Sequence, residues 1–188
     1  MKLICIRHTT GGEEAFYLRP DTALLRNNQP FYYPDFTNEL CGELALVFHV
    51  CRLGRSISSR FANRYLDAVG LALLLTAADI RRRCIEQALP RDAAVCFDYS
   101  AALSPEFISL NNLPAWNYEL KVDNAEIPLL SFDFTSTTSI VIPKISQFLT
   151  LKIGDYIFIP VSSEFLLQRR QTVAASLSGR ELLHVDVR

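Results

Sequence analysis

The chain has 188 residues, with 19 Lys and Arg against 20 Asp and Glu, a net charge of −1 and 49 % hydrophobic residues. That suffices for one domain with a buried core and excludes a disordered chain. The even charge balance argues against a nucleic-acid binder, and the longest apolar run, Ala68 to Ala78, is broken by Gly70 and Thr76 and falls short of the roughly 18 residues of a membrane helix.

Lys2–Ile6 reads as a short strand, too short an apolar run for an export signal, so a cytoplasmic protein is expected. The Gly11-Gly12 pair makes 7–14 a turn, and Phe16–Leu18 is extended ahead of Pro20. Pro30 and Pro34 keep the aromatic stretch Tyr32, Tyr33 and Phe36 out of a helix and assign it to a core or a dimer seam. Leu44–Cys51 is a strongly apolar strand. Ser58 or Ser59 caps a helix running to about Val69, with Phe61, Tyr65 and Leu66 on one face. Gly70–Thr76 fits either a continued helix or a buried strand. In 77–88, Ile80, Cys84 and Ala88 recur at helical spacing, which leaves Arg81, Arg82 and Arg83 on a solvated face ahead of Pro90.

In the second half, Trp116–Val122 and Glu126–Phe134 flank the turn pair Asp123-Asn124 as a hairpin. Thr138 or Ser139 caps a helix to about Leu149 with Pro143 in its first turn, and Tyr156–Val161 and Leu182–Val187 are strands. The five cysteines, Cys5, Cys41, Cys51, Cys84 and Cys96, include no C-x-x-C pair and read as reduced, mostly buried thiols. The expected fold is α+β and β-rich, in one domain over 1–188, with 1–30 a shortened N-terminal segment and 31–188 the main body.

Several stretches then fall into one order. Residues 17–25 (YLRPDTALL) resemble F-x-K-P-D-[ST]-A-L, and 33–40 (YPDFTNEL) resemble P-D-F-[ST]-x-E-[IL]. Leu53-Gly54, 61–65 (FANRY), 97–100 (FDYS), 148–155 (FLTLKIGD) and Leu182-Leu183 follow in sequence. Together they resemble the fumarylacetoacetate hydrolase superfamily over nearly the whole chain. The resemblance implies a mixed β fold, a homodimer, and a Mg²⁺ or Mn²⁺ ion that serves hydrolysis, decarboxylation or isomerisation of small oxo acids. It also implies an E-x-E pair plus an Asp as ligands, a lysine before F-D, a His–Glu dyad on an N-terminal loop and a T-G-T-P loop. The pattern is chemically sensible: a hard divalent ion wants several oxygens, and residues i and i+2 of a strand aim at one point.

Read residue by residue, that machinery is largely missing. The E-x-E pair is Glu43 followed by Ala45; the Asp position is Leu74, and the lysine position is Val95. His8 remains as a catalytic candidate, but Gly11 stands where its Glu partner would be, leaving only Glu13 or Glu14 nearby. Ile159-Pro160-Val161-Ser162 replaces the T-G-T-P loop. Carboxylates and an ammonium have become apolar, as when a charged cluster is replaced as a set rather than broken. The resulting expectation is a catalytically silent relative with no cofactor, whose metal pocket has become packed core. Glu43 is vestigial and pairs with Arg19 or faces solvent, while Arg19 and Asp98 are substrate-site relics, Asp98 serving alternatively as a turn cap. Expected partners are a second copy or a paralogue and a small carboxylic acid, with no nucleic acid and no membrane. A hydrolase, decarboxylase or isomerase with a site rebuilt around Glu43, Glu39, Asp98 and His8 is the alternative.

Overall fold

The structure, a computed structural model, describes residues 1–8 and 14–188, with the side chains of residues 8 and 14 also outside the description. Its strands and helices, in chain order, are β1 (Leu3–His8), β2 (Glu14–Arg19), β3 (Leu24–Leu25), β4 (Leu40–Val50), β5 (Leu66–Ala77), α1 (Ala78–Glu86), α2 (Asp92–Val95) and β6 (Ala101–Leu103). Then come β7 (Ile108–Ser109), β8 (Tyr118–Val122), β9 (Ala125–Glu126), α3 (Phe134–Phe148), β10 (Tyr156–Pro160), β11 (Phe165–Leu167), β12 (Thr172–Leu177) and β13 (Arg180–Asp186). The class is α+β and strand-rich, as expected. Among the described residues no helix is long and apolar enough to cross a membrane.

A nine-stranded mixed sheet carries the order β2-β1-β10-β4-β5-β6-β3, with β11 on β4 and β7 on β5. A four-stranded sheet runs β13-β12-β8-β9. The antiparallel pair β4–β5 forms the spine, in register from Leu40 opposite Ala77 down to a bulge at His49/Val50. Both strands read as nearly continuous apolar runs because both faces are covered. On one face Leu44, Leu46, Phe48, Leu71, Leu73 and Leu75 pack under α3 and the smaller sheet. On the other, Ala45, Val47, Ala72 and Leu74 pack with Leu3, Cys5, Ala101 and Phe158. That second coverage is why Leu71–Leu75, ambiguous by periodicity, is strand.

Several boundaries differ from the sequence reading. The helix expected through Val69 is a 3₁₀ segment, Ser59–Tyr65, and the chain is extended from Leu66, where pairing to β4 (Leu66 to Val50, Val69 to Phe48) satisfies more backbone groups than another helical turn. The hairpin at Asp123-Asn124 is present, both residues left-handed at φ 49° and 68° as a type I′ turn requires, but its second strand stops at Glu126 ahead of Pro128. Helix α3 starts earlier than expected. Asp133 caps it, accepting from the Ser136 N–H at 2.7 Å, so Pro143 lies mid-helix rather than in the first turn. The carbonyl freed by Pro143 belongs to Ser139, on a partly exposed side of α3 that water reaches.

Candidate functional site

Strand alternation sends every second residue of neighbouring strands to one face. On β1 and β2 these are Cys5, Arg7, Ala15, Tyr17 and Arg19, with Cys5 opposite Tyr17 and Arg7 opposite Ala15. On β4 they are Glu43, Ala45 and Val47; on β5, Leu74 and Ala72, with Glu43 opposite Leu74 and Ala45 opposite Ala72. Glu43, Ala45 and Leu74, the positions singled out from sequence, therefore share one patch of sheet. Ala45, Leu74 and Val95 are buried in it.

Glu43 sits at the edge of this apolar patch, against a cavity of about 280 Å³ lined by Ile6, Arg7, Tyr17, Pro160, Ser162 and Glu164 among others. A second lobe of about 280 Å³ lies on the other side of Arg7 and Tyr17, reaching Arg81, Arg91, Asp92 and Val95. Burial, then the nearby Glu164 carboxylate, lift the Glu43 carboxyl to about 7, against the pull of Arg7, Arg19 and Arg81. Ser162 shapes the floor by accepting the Leu44 N–H at 2.8 Å. Arg81 and Glu164 form a bidentate pair at the rim, the second bond 2.6 Å.

Arg19 does not pair with Glu43. Its guanidinium, 3 % exposed, donates to Leu75 O at 3.0 Å and Ser100 O at 2.6 Å, while Nη2 meets the Tyr17 hydroxyl at 3.2 Å. Its Nε is buried without a partner among the described residues. The cation thus rests on neutral groups alone, behind Tyr17. Arg7 lies over the same ring, 5.4 Å from its centroid. Burial pushes the neighbouring Cys5 thiol up to about 11, which leaves it unreactive.

The remaining candidates scatter. Asp98 lies exposed in the turn after α2, next to left-handed Tyr99, and lines neither lobe. His8 ends β1 with its side chain outside the described residues, as are Gly11 and Glu13. Glu39 pairs with Arg82 at 2.5 Å. His49 meets Asp67 at 2.7 Å, and His184 lies between Glu181 and Asp186. Tyr33 packs on the core, whereas Tyr32 and Phe36 are exposed.

Arg7, Tyr17, Arg81, Ser162 and Glu164 were not assigned to the site from sequence, and Arg81 was placed on a solvated face. The alternation Cys5, Arg7 and Tyr17, Arg19 was the available signal: i, i+2 pairs on two strands that share a hairpin. No sequence rule places Glu164 within reach of Arg81.

A divalent ion does not fit these residues. It would find Glu43 beside the methyl and isobutyl groups of Ala45 and Leu74, and a second carboxylate, Glu164, already held by Arg81. Among the described residues no group of three or more His, Cys, Asp or Glu could hold a metal.

A curled mixed sheet with a pocket at the Pro160–Glu43 end of the β4–β10 pair defines a fold shared with enzymes of small oxo acids. The family model for the fumarylacetoacetate (FAA) hydrolase C-terminal region matches residues 7–180, and the chain belongs to this family. It is 30 % identical over 152 residues to the mitochondrial oxaloacetate tautomerase FAHD1 of Bos taurus, covering 77 % of this chain and 67 % of that protein. The Homo sapiens form is 28 % identical over 160 residues, covering 81 % and 70 %. A crystal structure of fumarylpyruvate hydrolase from Pseudomonas aeruginosa with Mn²⁺ and pyruvate superposes with a TM-score of 0.87 at 20 % identity, covering 100 % of this chain and 89 % of that one. A putative isomerase from Escherichia coli superposes at 0.85 with 22 % identity, covering 100 % and 91 %.

Proposed function

We propose that this family member has given up metal-dependent catalysis and uses the retained pocket to bind a small carboxylic acid. The observation that carries the reading is the exchange of charge in that pocket. The two positions that the family resemblance gives to carboxylates are Ala45 and Leu74 inside packed core, while Arg7 lines both lobes and the second lobe sets Arg7, Arg81 and Arg91 against Asp92 alone. A site of that sign favours an anion over a cation. Each lobe is near the lower end of small-molecule pocket volumes, which suits an acid of a few carbons.

The test is a thermal melt in EDTA, then with Mn²⁺, then with pyruvate, malonate or oxalate. A ligand that binds only the folded state raises the melting temperature. The acids are expected to raise it in EDTA and Mn²⁺ alone is not; a clear shift by Mn²⁺ would overturn the reading. Pairing with a second copy or a paralogue belongs to the same proposal, on family membership, and sedimentation equilibrium tests it.

One observation favours a second reading, an enzyme of small oxo acids with a rebuilt site. Glu43, with its carboxyl near neutrality, faces a pocket open to small molecules, and the relatives named above include a tautomerase. Proton transfer needs a group of that acidity but no metal. Oxaloacetate turnover in EDTA, lost in Glu43→Gln, would select it over a silent binder.

A further inference from the structure

The near-zero net charge conceals a segregated distribution. Residues 51–66 and 134–154 hold Arg52, Arg55, Arg60, Arg64, Lys144 and Lys152 and no Asp or Glu. They carry +6, so the rest of the chain carries −7 to give the net −1.

The fold brings these segments together. Gly54 and Leu151 exchange backbone hydrogen bonds at 3.0 and 2.8 Å, Ser56 N–H donates to Ser146 O at 2.8 Å, and the Ser59–Tyr65 segment packs along α3. Of the acids at the border, Asp133 caps the far, N-terminal end of α3, and the other two are engaged elsewhere. Asp155 is buried and bound by Lys2, and Asp67 holds His49. On this cationic surface stand three of the most exposed large apolar side chains of the described residues: Leu53 at 67 %, Phe148 at 68 % and Ile153 at 69 %. Ile140 and Lys144, two turns and one turn before Phe148 along α3, extend the same stripe. Gly54 and Leu151 place Leu53 and Ile153 towards the Val50–Tyr156 end of the β4–β10 pair, away from Glu43 and Pro160, while Phe148 packs on Phe16, which lines the second lobe.

We propose that this end of the molecule docks on an anionic phospholipid surface. Apolar side chains projecting from a helix end and two turns, ringed by Arg and Lys, match shallow insertion at the headgroup boundary, where apolar burial and charge attraction add. A second copy does not suit the face. A two-fold contact presents the same patch to itself and would set six cations against six. The inference reverses the expectation of no membrane partner, which rested on net charge and on the lack of a spanning segment; neither bears on where the charges sit.

Co-sedimentation of the whole chain with vesicles tests it. The protein is expected to pellet with an equal mixture of phosphatidylcholine and phosphatidylserine, to remain in solution with phosphatidylcholine alone, and to be released by salt. The triple variant Leu53→Ser, Phe148→Ser, Ile153→Ser and the double variant Arg52→Glu, Lys152→Glu should each weaken binding about tenfold or more. The charge variant should keep the parental melting temperature, since both altered side chains are exposed, and the pair Leu53→Ser, Ile153→Ser, which leaves the Phe148–Phe16 contact intact, should do the same. No binding to the mixed vesicles at low salt, equal binding to both vesicle types, or parental binding by both variants would each overturn the proposal. So would binding to polyglutamate but not to vesicles, which would give the face to an acidic protein. A dimer dissolved by the triple variant would give it to a second copy and would overturn the proposal equally.

Discussion

Glu43 on β4 lies directly opposite Leu74 on β5, so the carboxylate looks across the ladder at an isobutyl group. The neighbouring inward position, Ala45, lies opposite Ala72. The double variant Ala45→Glu, Leu74→Asp builds an acidic set with Glu43 on these same strands. In EDTA it should lose roughly 3–5 kcal/mol or more, since each new carboxylate is buried without a partner. With Mn²⁺ much of that loss should return, read as a rise in melting temperature that the parent chain lacks. A double variant equally unstable with and without Mn²⁺ would show that the surrounding guanidiniums still exclude the ion.

The pH dependence of stability follows from the same glutamate. Its folded carboxyl titrates near 7 against 4.5 when free, so between those values the folded chain keeps a proton that the unfolded chain releases. The stabilising contribution is complete below pH 4.5 and lost as pH rises through about 7. Discounted for the partial exposure of Glu43, the loss is about 1–2 kcal/mol. Denaturant titrations at several pH values should show it, and Glu43→Gln should flatten that segment of the profile. Acid binding should weaken over the same interval, because a charged Glu43 repels a carboxylate.

Arg19 separates stability from binding. Its acceptor Ser100 O also receives the Leu75 N–H at 2.8 Å, so removing the guanidinium does not strand that carbonyl. An isolated buried cation is costly to desolvate, and an apolar replacement of similar length fills its channel. Arg19→Met should therefore change stability by less than about 1 kcal/mol in either direction, while the acid-induced rise in melting temperature falls. A loss of several kcal/mol would mean that the bonds to Leu75 and Tyr17 outweigh desolvation.

The fold was more legible than the site. Strands β1, β4, β10 and β13 are runs whose apolar pattern and turn residues agree, and motif order supplied the family. The misplaced boundaries have two causes: at Leu66 a long-range partner overrode local propensity, and after Ile127, whose N–H still reaches Leu120 O, Pro128 has no N–H with which to continue the ladder. For the site, Ala45, Leu74 and Val95 stand out in the sequence because they fall inside motifs, and the fold buries all three. Arg7, Arg81 and Glu164 could not, since an arginine on a helix looks solvated until a glutamate distant in sequence is folded against it. Arg19 was tied to Glu43 by charge alone; the backbone carbonyls that hold it are invisible in a sequence.

Gly54, in the Leu53-Gly54 motif, tests packing at the other end. A Cβ there would collide with the Tyr65 ring and come within 2.9 Å of Ile57. Gly54→Ala should cost about 1–3 kcal/mol by overpacking and loosen the Gly54–Leu151 bridge. Hydrogen exchange at the Gly54 and Leu151 amides would report that loosening locally, whereas an unchanged melting temperature would show that Tyr65 can swing aside.

The placement of Ala45 and Leu74 on adjoining strands of the longest ladder has an evolutionary consequence. Reverting either position alone sets a naked charge in a dry interior, and no single step is rewarded before the other has been taken. A cation cradle on these two strands would have to arrive as a pair of changes, so a lone acidic substitution at either position is expected to unfold the chain before it can bind anything.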